Sequence, residues 1–324
     1  MHRAAHSPNS HRLSPPAAAR QRAGWIGLIR AVRARWYSFC LRSGQVRTKH
    51  LNEAAIHDFR VSGQRLVATL RLAEPVAGPV AKKLRHRVKK RIDAVRRLRD
   101  VQVMLLRTAP AAGESPVLAR LHRKLSLEEQ TLTRGLKQRS FGSIRREERA
   151  QARQVLAALI RRARVAHGAS PARFLRGQLL SGRRRVVLRA GQIDPGDLMT
   201  LHRLRMAIKR ARYLLELAAS VAPTGRYTTA QRSARNWQDT LGRCQDLRVL
   251  HAELESLHPK RSPEQVALGQ FRVKLIAERD EAVREFLRQR VALGRFIDQL
   301  DPARTPRGAN RAPTLRLVSL AHAR

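Results

Sequence analysis

Apolar residues recur every three or four positions along most of this chain, and arginine dominates the polar positions between them. That spacing marks amphipathic helices, each with one stripe to bury. Alternating apolar and polar runs bounded by turn residues, the mark of strands, are not evident, so the pattern predicts an all-α protein. Punctuation predicts the ends of elements. Gly24 and Gly44 bracket "GWIGLIRAVRARWYSFCLRSG", and Pro75 with Gly78 and Pro79 closes a helix that starts near Ile56. Asp194 before Pro195 offers an N-cap with proline at the first helical position, and Ser262, Pro263 and Gln265 repeat the device as a capping box. Helices this rich in arginine are poor isolated units. Their apolar stripes must pack together in bundles.

One pattern occurs twice. "IHDFRVSGQRLVATLRL", Ile56 to Leu72, and "LHRLRMAIKRARYLLEL", Leu201 to Leu217, place histidine, arginine and further polar or basic residues in register, 145 positions apart. At about 100° per residue, His202, Arg205, Lys209 and Arg212 fall within about 80° of one another, beside a packing face of Leu201, Leu204, Ile208 and Leu215. In the first copy His57, Arg60, Gln64 and Arg71 take the equivalent face, with Ile56, Phe59 and Leu70 as the packing side. Cations clustered at helical spacing repel by a few tenths of a kcal/mol per pair, roughly, so such a stripe needs a compensating partner. Downstream, "VRRLRDVQVMLL" and "LGRCQDLRVLHA" also correspond when Asp100 is set on Asp246 with a one-residue gap. Both aspartates are expected to be structural N-caps of following helices. Lys89 and Arg235 correspond on the helices that run up to them.

Charge sharpens the picture. Lys and Arg number 67 against 24 Asp and Glu, a formal net charge of +43, which calls for a polyanionic partner: nucleic acid, inorganic polyphosphate or an anionic surface. Arginine-favouring codon usage accounts for excess charge but not for its organisation into a repeated stripe. Runs such as "SGRRRVVLRAG", with Arg183 to Arg185, read as solvated helix faces. With 324 residues, 43% of them hydrophobic, the chain can bury a large core. Residues 1–23, free of acids, read as a basic arm, although an organelle transit peptide shares that composition. Residues 301–324 read as a flexible basic tail. Between them, 24–300 forms the helical unit, with repeat halves of about 24–166 and 167–300.

Several chemistries find no support. Cys40 and Cys244 are the sole cysteines, too few for a disulfide framework, and no cluster has metal-ligand spacing. No apolar run approaches the length of a membrane span, so a cytoplasmic, soluble protein is expected. No P-loop or nucleophile-elbow sequence is present. His57 and Asp58 form the "HD" pair of metal-dependent phosphohydrolases, yet the second copy has His202 followed by Arg203. No catalytic residue, metal or cofactor is expected.

The H-x-x-R stripe, followed about 43 residues later by R-D in one half and L-G-x-x-Q-D in the other, resembles the CHAD family, the conserved histidine α-helical domain. The resemblance covers roughly residues 25–300. It implies two antiparallel four-helix bundles related by a pseudo-twofold axis, with a basic central cleft that binds inorganic polyphosphate without catalysis, and association with polyphosphate granules. His57, Arg60 and Arg65 match the first motif; His202, Arg205, Lys209, Arg210 and Arg212 match the second. With Lys89 and Arg235 from the downstream alignment, these give the polyphosphate-binding set His57, Arg60, Arg65, Lys89, His202, Arg205, Lys209, Arg212 and Arg235. The first copy departs from the pattern: Gln64 and Val67 replace arginines, Gly63 replaces an apolar residue, and Arg96 stands where Gly is usual, so the first half is expected to bind more weakly. The triphosphatase module often fused to such domains, marked by E-x-E-x-K, has no counterpart here. The alternative partner is nucleic acid bound without sequence preference, against which the scarcity of aromatics for base stacking counts.

Overall fold

A computed structural model describes residues 17–48, 51–113, 115–165, 170–221, 227–257 and 262–301. Every regular element among them is helical. In chain order these are α1 (Ala17–Thr48), α2 (Glu53–Ala94), α3 (Arg96–Thr108), α4 (Pro116–Gln138), α5 (Arg146–Arg164), α6 (Pro171–Gly191), α7 (Leu198–Val221), α8 (Thr228–Glu255), α9 (Ser262–Arg288) and α10 (Arg290–Gln299), with a single 3-10 turn at Pro110–Gly113.

Gly78 decides the shape of the first half. Its φ of 56° and ψ of −140° break α2, a conformation open to glycine and strained for residues with a Cβ. The chain reverses there: Gly63, before the break, packs so closely on Ile92, after it, that a Cβ at 63 would lie 2.8 Å from Ile92 Cγ1. Residues 53–77 and 79–94 thus form a helical hairpin, and Pro79 opens its second arm where its missing N–H costs nothing. Gly63, which the sequence alone reads as a mid-helix glycine costing about 1 kcal/mol relative to Ala, is the point at which the two arms touch. In the second half α7 and α8 supply the corresponding arms and pack on each other.

The apolar stripes meet as the periodicity requires. Ile56, Phe59 and Leu70 of α2 and Leu201, Leu204, Ile208 and Leu215 of α7 are buried within one continuous core that runs from Trp25 to Leu300. The ring centroids of Phe39 and Phe59 are 5.3 Å apart, as are those of Phe59 and Phe141, close enough for favourable aromatic packing. Contacts cross between the halves: α1 packs on α6 and α7, α2 on α7, α3 on α8 and α4 on α9. At the α1 and α7 crossing the backbones touch, since a Cβ on Gly27 would lie 2.6 Å from the Ser220 carbonyl oxygen.

Several element limits differ from the sequence reading. α1 runs through both Gly24 and Gly44 and reaches back to Ala17, inside the stretch expected to be an arm; residues 1–16 and 302–324 lie outside the described residues. Asp194 does not cap α7. Its carboxylate accepts from Gly196 N at 2.8 Å in a local turn, and Asp197, accepting from Met199 N at 2.8 Å, takes the capping position. Pro195 therefore precedes the helix instead of opening it. Ser262 lies inside α9, and its side chain is outside the described set. Among the described residues no helix is long and apolar enough to cross a membrane.

Two buried or half-buried acids sit at helix junctions away from the stripes. Glu148, 3% exposed, holds Arg91 through two hydrogen bonds of 2.8 Å and joins α2 to α5. Glu253 of α8 takes Arg97 of α3 and Lys124 of α4. Placed there, these carboxylates do not neutralise the stripes on α2 and α7.

Candidate functional site

The two stripes face each other. Arg60 of α2 and Arg205 of α7 act on one another strongly enough to matter to Arg60's charge, and Lys209 feels Arg205, Arg60 and Arg212 together. His57 in turn feels Lys209, Arg60 and Arg212. Six of the expected residues are thus brought into one cluster: His57, Arg60, His202, Arg205, Lys209 and Arg212. Gln64 and Val67 add no charge to the cluster. Gln64 accepts a 2.9 Å hydrogen bond from the Tyr213 hydroxyl, and Val67 packs against the core.

Burial tunes these groups away from their charged forms. It is the main cause of Lys209's fall to about 7 from its ordinary value near 10.5, with the three arginines adding to it. His57 is lowered first by burial, then by Lys209, Arg60 and Arg212, against the pull of Asp58. His202 is lowered by burial and by Arg248, Arg205 and Arg96, with Gln245 opposing. Both imidazoles are thus biased toward their uncharged forms near neutral pH.

Beneath the cluster lie the repeated aspartates, and here the sequence expectation is corrected. Asp100 falls within α3 and Asp246 in the middle of α8, so neither caps a helix. Both are partly buried below the arginines. Burial raises each carboxyl, opposed at Asp100 by Arg60, Arg97, Arg96 and Arg99 and at Asp246 by Arg107, Arg205 and Arg99. Asp100 acts on Arg60 and Asp246 on Arg205 through their charge, Asp246 also lies 3.9 Å from Arg107, and α3 packs on α8 where the two carboxylates act on each other. Arg60 Nη1 also donates to the Arg96 carbonyl at 3.4 Å. Gly242, the counterpart of Arg96, lies against Arg205: a Cβ there would be in ordinary van der Waals contact with Nη2, at 3.6 Å.

Arg65 is not free. Its Nε and Nη2 donate to Glu216 at 2.8 and 3.3 Å, and Arg35 and Arg212 lie 3.9 and 3.8 Å from the same carboxylate. Burial opposes Arg65's charge, but Glu216, Tyr213 and Asp58 outweigh it and the guanidinium is held above its ordinary value. This makes Arg65 a bridge between α2 and α7, with Arg35 on α1 beside it. Glu216 was missed because its partner stands 151 positions away in sequence; its place seven residues beyond Lys209, on the same helix face, was the available signal.

Lys89 and Arg235 are exposed and are not among the charges acting on the cluster's buried groups. Arg235 stands two helical turns before Gly242 on the same face of α8, roughly 10 Å along the axis, so it flanks the cluster. Arg183 is not a solvated charge. It donates to the Ile297 carbonyl at 3.3 Å and lies 3.8 Å from Asp298, tying α6 to α10. His57 and Asp58 do not form a metal pair either: Asp58 bridges Arg42 at 3.1 Å, and among the described residues no three His, Cys, Asp or Glu side chains come close enough to share an ion.

His202 Nδ1, Arg205 Nε and Arg212 Nε are buried without a hydrogen-bond partner among the described residues, and of the three Arg212 Nε has a carboxylate nearby, Glu216 Oε1 at 3.8 Å. A buried polar group without a partner costs about 1–3 kcal/mol, and these three share one helix face.

The CHAD domain family model matches residues 31–255, a span that holds both stripes and both aspartates. The chain belongs to the CHAD domain family. Two solved structures share the fold of this CHAD chain. The crystal structure of the CHAD domain from the plant Ricinus communis is 22% identical, with a TM-score of 0.62, covering 90% of this chain and 94% of that one. PptA from Streptomyces chartreusis is 19% identical, with a TM-score of 0.58, covering 82% of this chain and 98% of that one. Among curated proteins none matches significantly.

Proposed function

We propose that this CHAD chain binds inorganic polyphosphate, without catalysis, along the basic cluster between α2 and α7, and through that binding associates with polyphosphate granules in the cytoplasm. The observation that carries the reading is the row of unpartnered groups on α7. Buried donors at His202, Arg205 and Arg212 lie beside Lys209, a buried cation whose charged neighbours are all arginines. Phosphate oxygens supply acceptors for these groups and negative charge beside Lys209, on which no carboxylate acts. Polyphosphate has a regular array of such oxygens and no bases to read, so charge density and oxygen geometry are sufficient for its recognition.

The nucleic-acid reading is less well supported. Tyr213, the aromatic nearest the stripe, is 4% exposed and has its hydroxyl on Gln64, so its ring offers no platform for a base. Competition separates the two. With fluorescent long-chain polyphosphate bound to the protein, duplex DNA or RNA at equal phosphate concentration is expected to displace little of it, and affinity is expected to fall steeply with salt as counterions are released. Displacement of most of the probe at equal phosphate concentration would contradict the proposal.

A further inference from the structure

The repeat offset that sets His57 on His202 also sets Arg65 on Arg210 and Arg71 on Glu216. In one of these two equivalent places Arg65 and Glu216 form the bridge described above. In the other, the same pair of positions holds two arginines. Arg210 of α7 is lowered by burial, then by Arg185 of α6 and Arg71 of α2, with no carboxylate acting to raise it. All three arginines are exposed. α2, α6 and α7 pack on one another, so that Arg71 and Arg185 reach Arg210 from the two neighbouring helices, and among the described residues none of the three has an ion pair or a side-chain hydrogen bond. The bridge therefore survives at one end of the site and is replaced by a knot of like charges at the other.

Like charges gathered from three helices, where the repeat elsewhere places a carboxylate, form a receptor for an external oxyanion. Arginine forks suit the oxygens of a phosphate group. We propose that Arg71, Arg185 and Arg210 bind a phosphate of the ligand where Glu216 would otherwise supply the anion, so that a bound phosphate chain runs out of the central cluster past these residues. At the opposite end, one turn beyond Arg212 on α7 and 3.8 Å from it, the Glu216 carboxylate already satisfies Arg65 and Arg35 and turns the chain away. The site is thereby open at one end and closed at the other, despite the repeat that built it. This rests on the polyphosphate reading and adds a direction to it.

The test compares Arg71→Glu with Arg161→Glu, the same charge change at an exposed residue of α5, and with the central pair Arg205→Glu/Lys209→Glu, using long-chain polyphosphate and tripolyphosphate as probes. A glutamate at 71 can pair with Arg210 and Arg185 as Glu216 pairs with Arg65, so this variant is expected to fold, and Arg71→Gln provides a milder second variant. Arg71→Glu is expected to weaken long-chain binding by about tenfold at low salt, Arg71→Gln by less, and neither to change tripolyphosphate binding more than about twofold, since three phosphates fit the central cluster alone. Arg161→Glu is expected to change both within about twofold. Equal losses at 71 and 161, with a much larger loss at 205 and 209, would overturn the direction while leaving the central site intact. Equal weakening of both probes by Arg71→Glu would also overturn it. Equal losses in all three variants, or no polyphosphate binding by the unaltered protein, would overturn both readings.

Discussion

Replacing Arg205 and Lys209 together by glutamate is expected to weaken polyphosphate binding by roughly a hundredfold or more, about 3 kcal/mol, at moderate salt. Three effects add. The swap removes the fork of Arg205 with its unpartnered Nε, removes the compact charge of Lys209, and places two carboxylates where phosphate oxygens should lie. Arg60 and Arg212, both acting on Lys209, would then hold an internal anion in place of the ligand. The fold should survive, because glutamates among these arginines relieve repulsion, and the circular dichroism of the variant should match that of the unaltered protein. Arg161 and Arg164 on α5 are the appropriate controls, being exposed; Arg183 is not, since it ties α6 to α10. Equal losses at both pairs would mean that net charge, not a defined site, binds the polymer.

Lys209→Met is expected to stabilise the free protein while weakening binding. The lysine's folded value of about 7 lies well below that of an unfolded lysine. Between the two values the unfolded chain holds a proton that the folded one lacks, so stability rises with pH across that window. Below about pH 7 the folded protein carries the buried charge at full cost. The methionine variant should accordingly be more stable at pH 6, on the order of 2 kcal/mol, with the difference fading by about pH 10. Denaturant melts at the two pH values measure this. Binding makes the complementary statement: a polyanion favours the charged lysine, so the unaltered protein should take up a proton on binding at pH 8 and lose affinity as pH rises above 7. Calorimetry in two buffers of different ionisation enthalpy reads that proton, and Lys209→Met should abolish most of it. Equal stability of the two proteins at pH 6, or proton uptake unchanged in the variant, would show that Lys209 is not buried among cations in the free state.

These effects explain why some of the site could be read in the sequence and some could not. The helical spacing placed Ile56, Phe59, Leu204 and Ile208 in the core because burial of a stripe depends on period alone. The repeat located His57, Arg60, His202, Arg205, Lys209 and Arg212, since two copies of one stripe share one local geometry. What escaped depends on tertiary partners. Arg65 has the spacing of a ligand-binding residue, but Glu216 on another helix takes it. Asp100 and Asp246 have the composition of caps, yet they lie inside helices, and only the packing of α3 on α8 sets them under the arginines. Asp194 and Asp197 both suit a helix start, and the local hydrogen bonds choose the second. Gly63 looked like a flaw in a helix because the reversal at Gly78, which brings Ile92 against it, is not visible in the periodicity of either arm.

The most direct measurement is a crystal structure of the protein with polyphosphate of defined length. One continuous chain is expected between α2 and α7, with phosphate oxygens within hydrogen-bond distance of Arg60 from one stripe and of His202 Nδ1, Arg205 Nε and Arg212 Nε from the other. Phosphates confined to outer helix faces, with those donors still without acceptors, would contradict it.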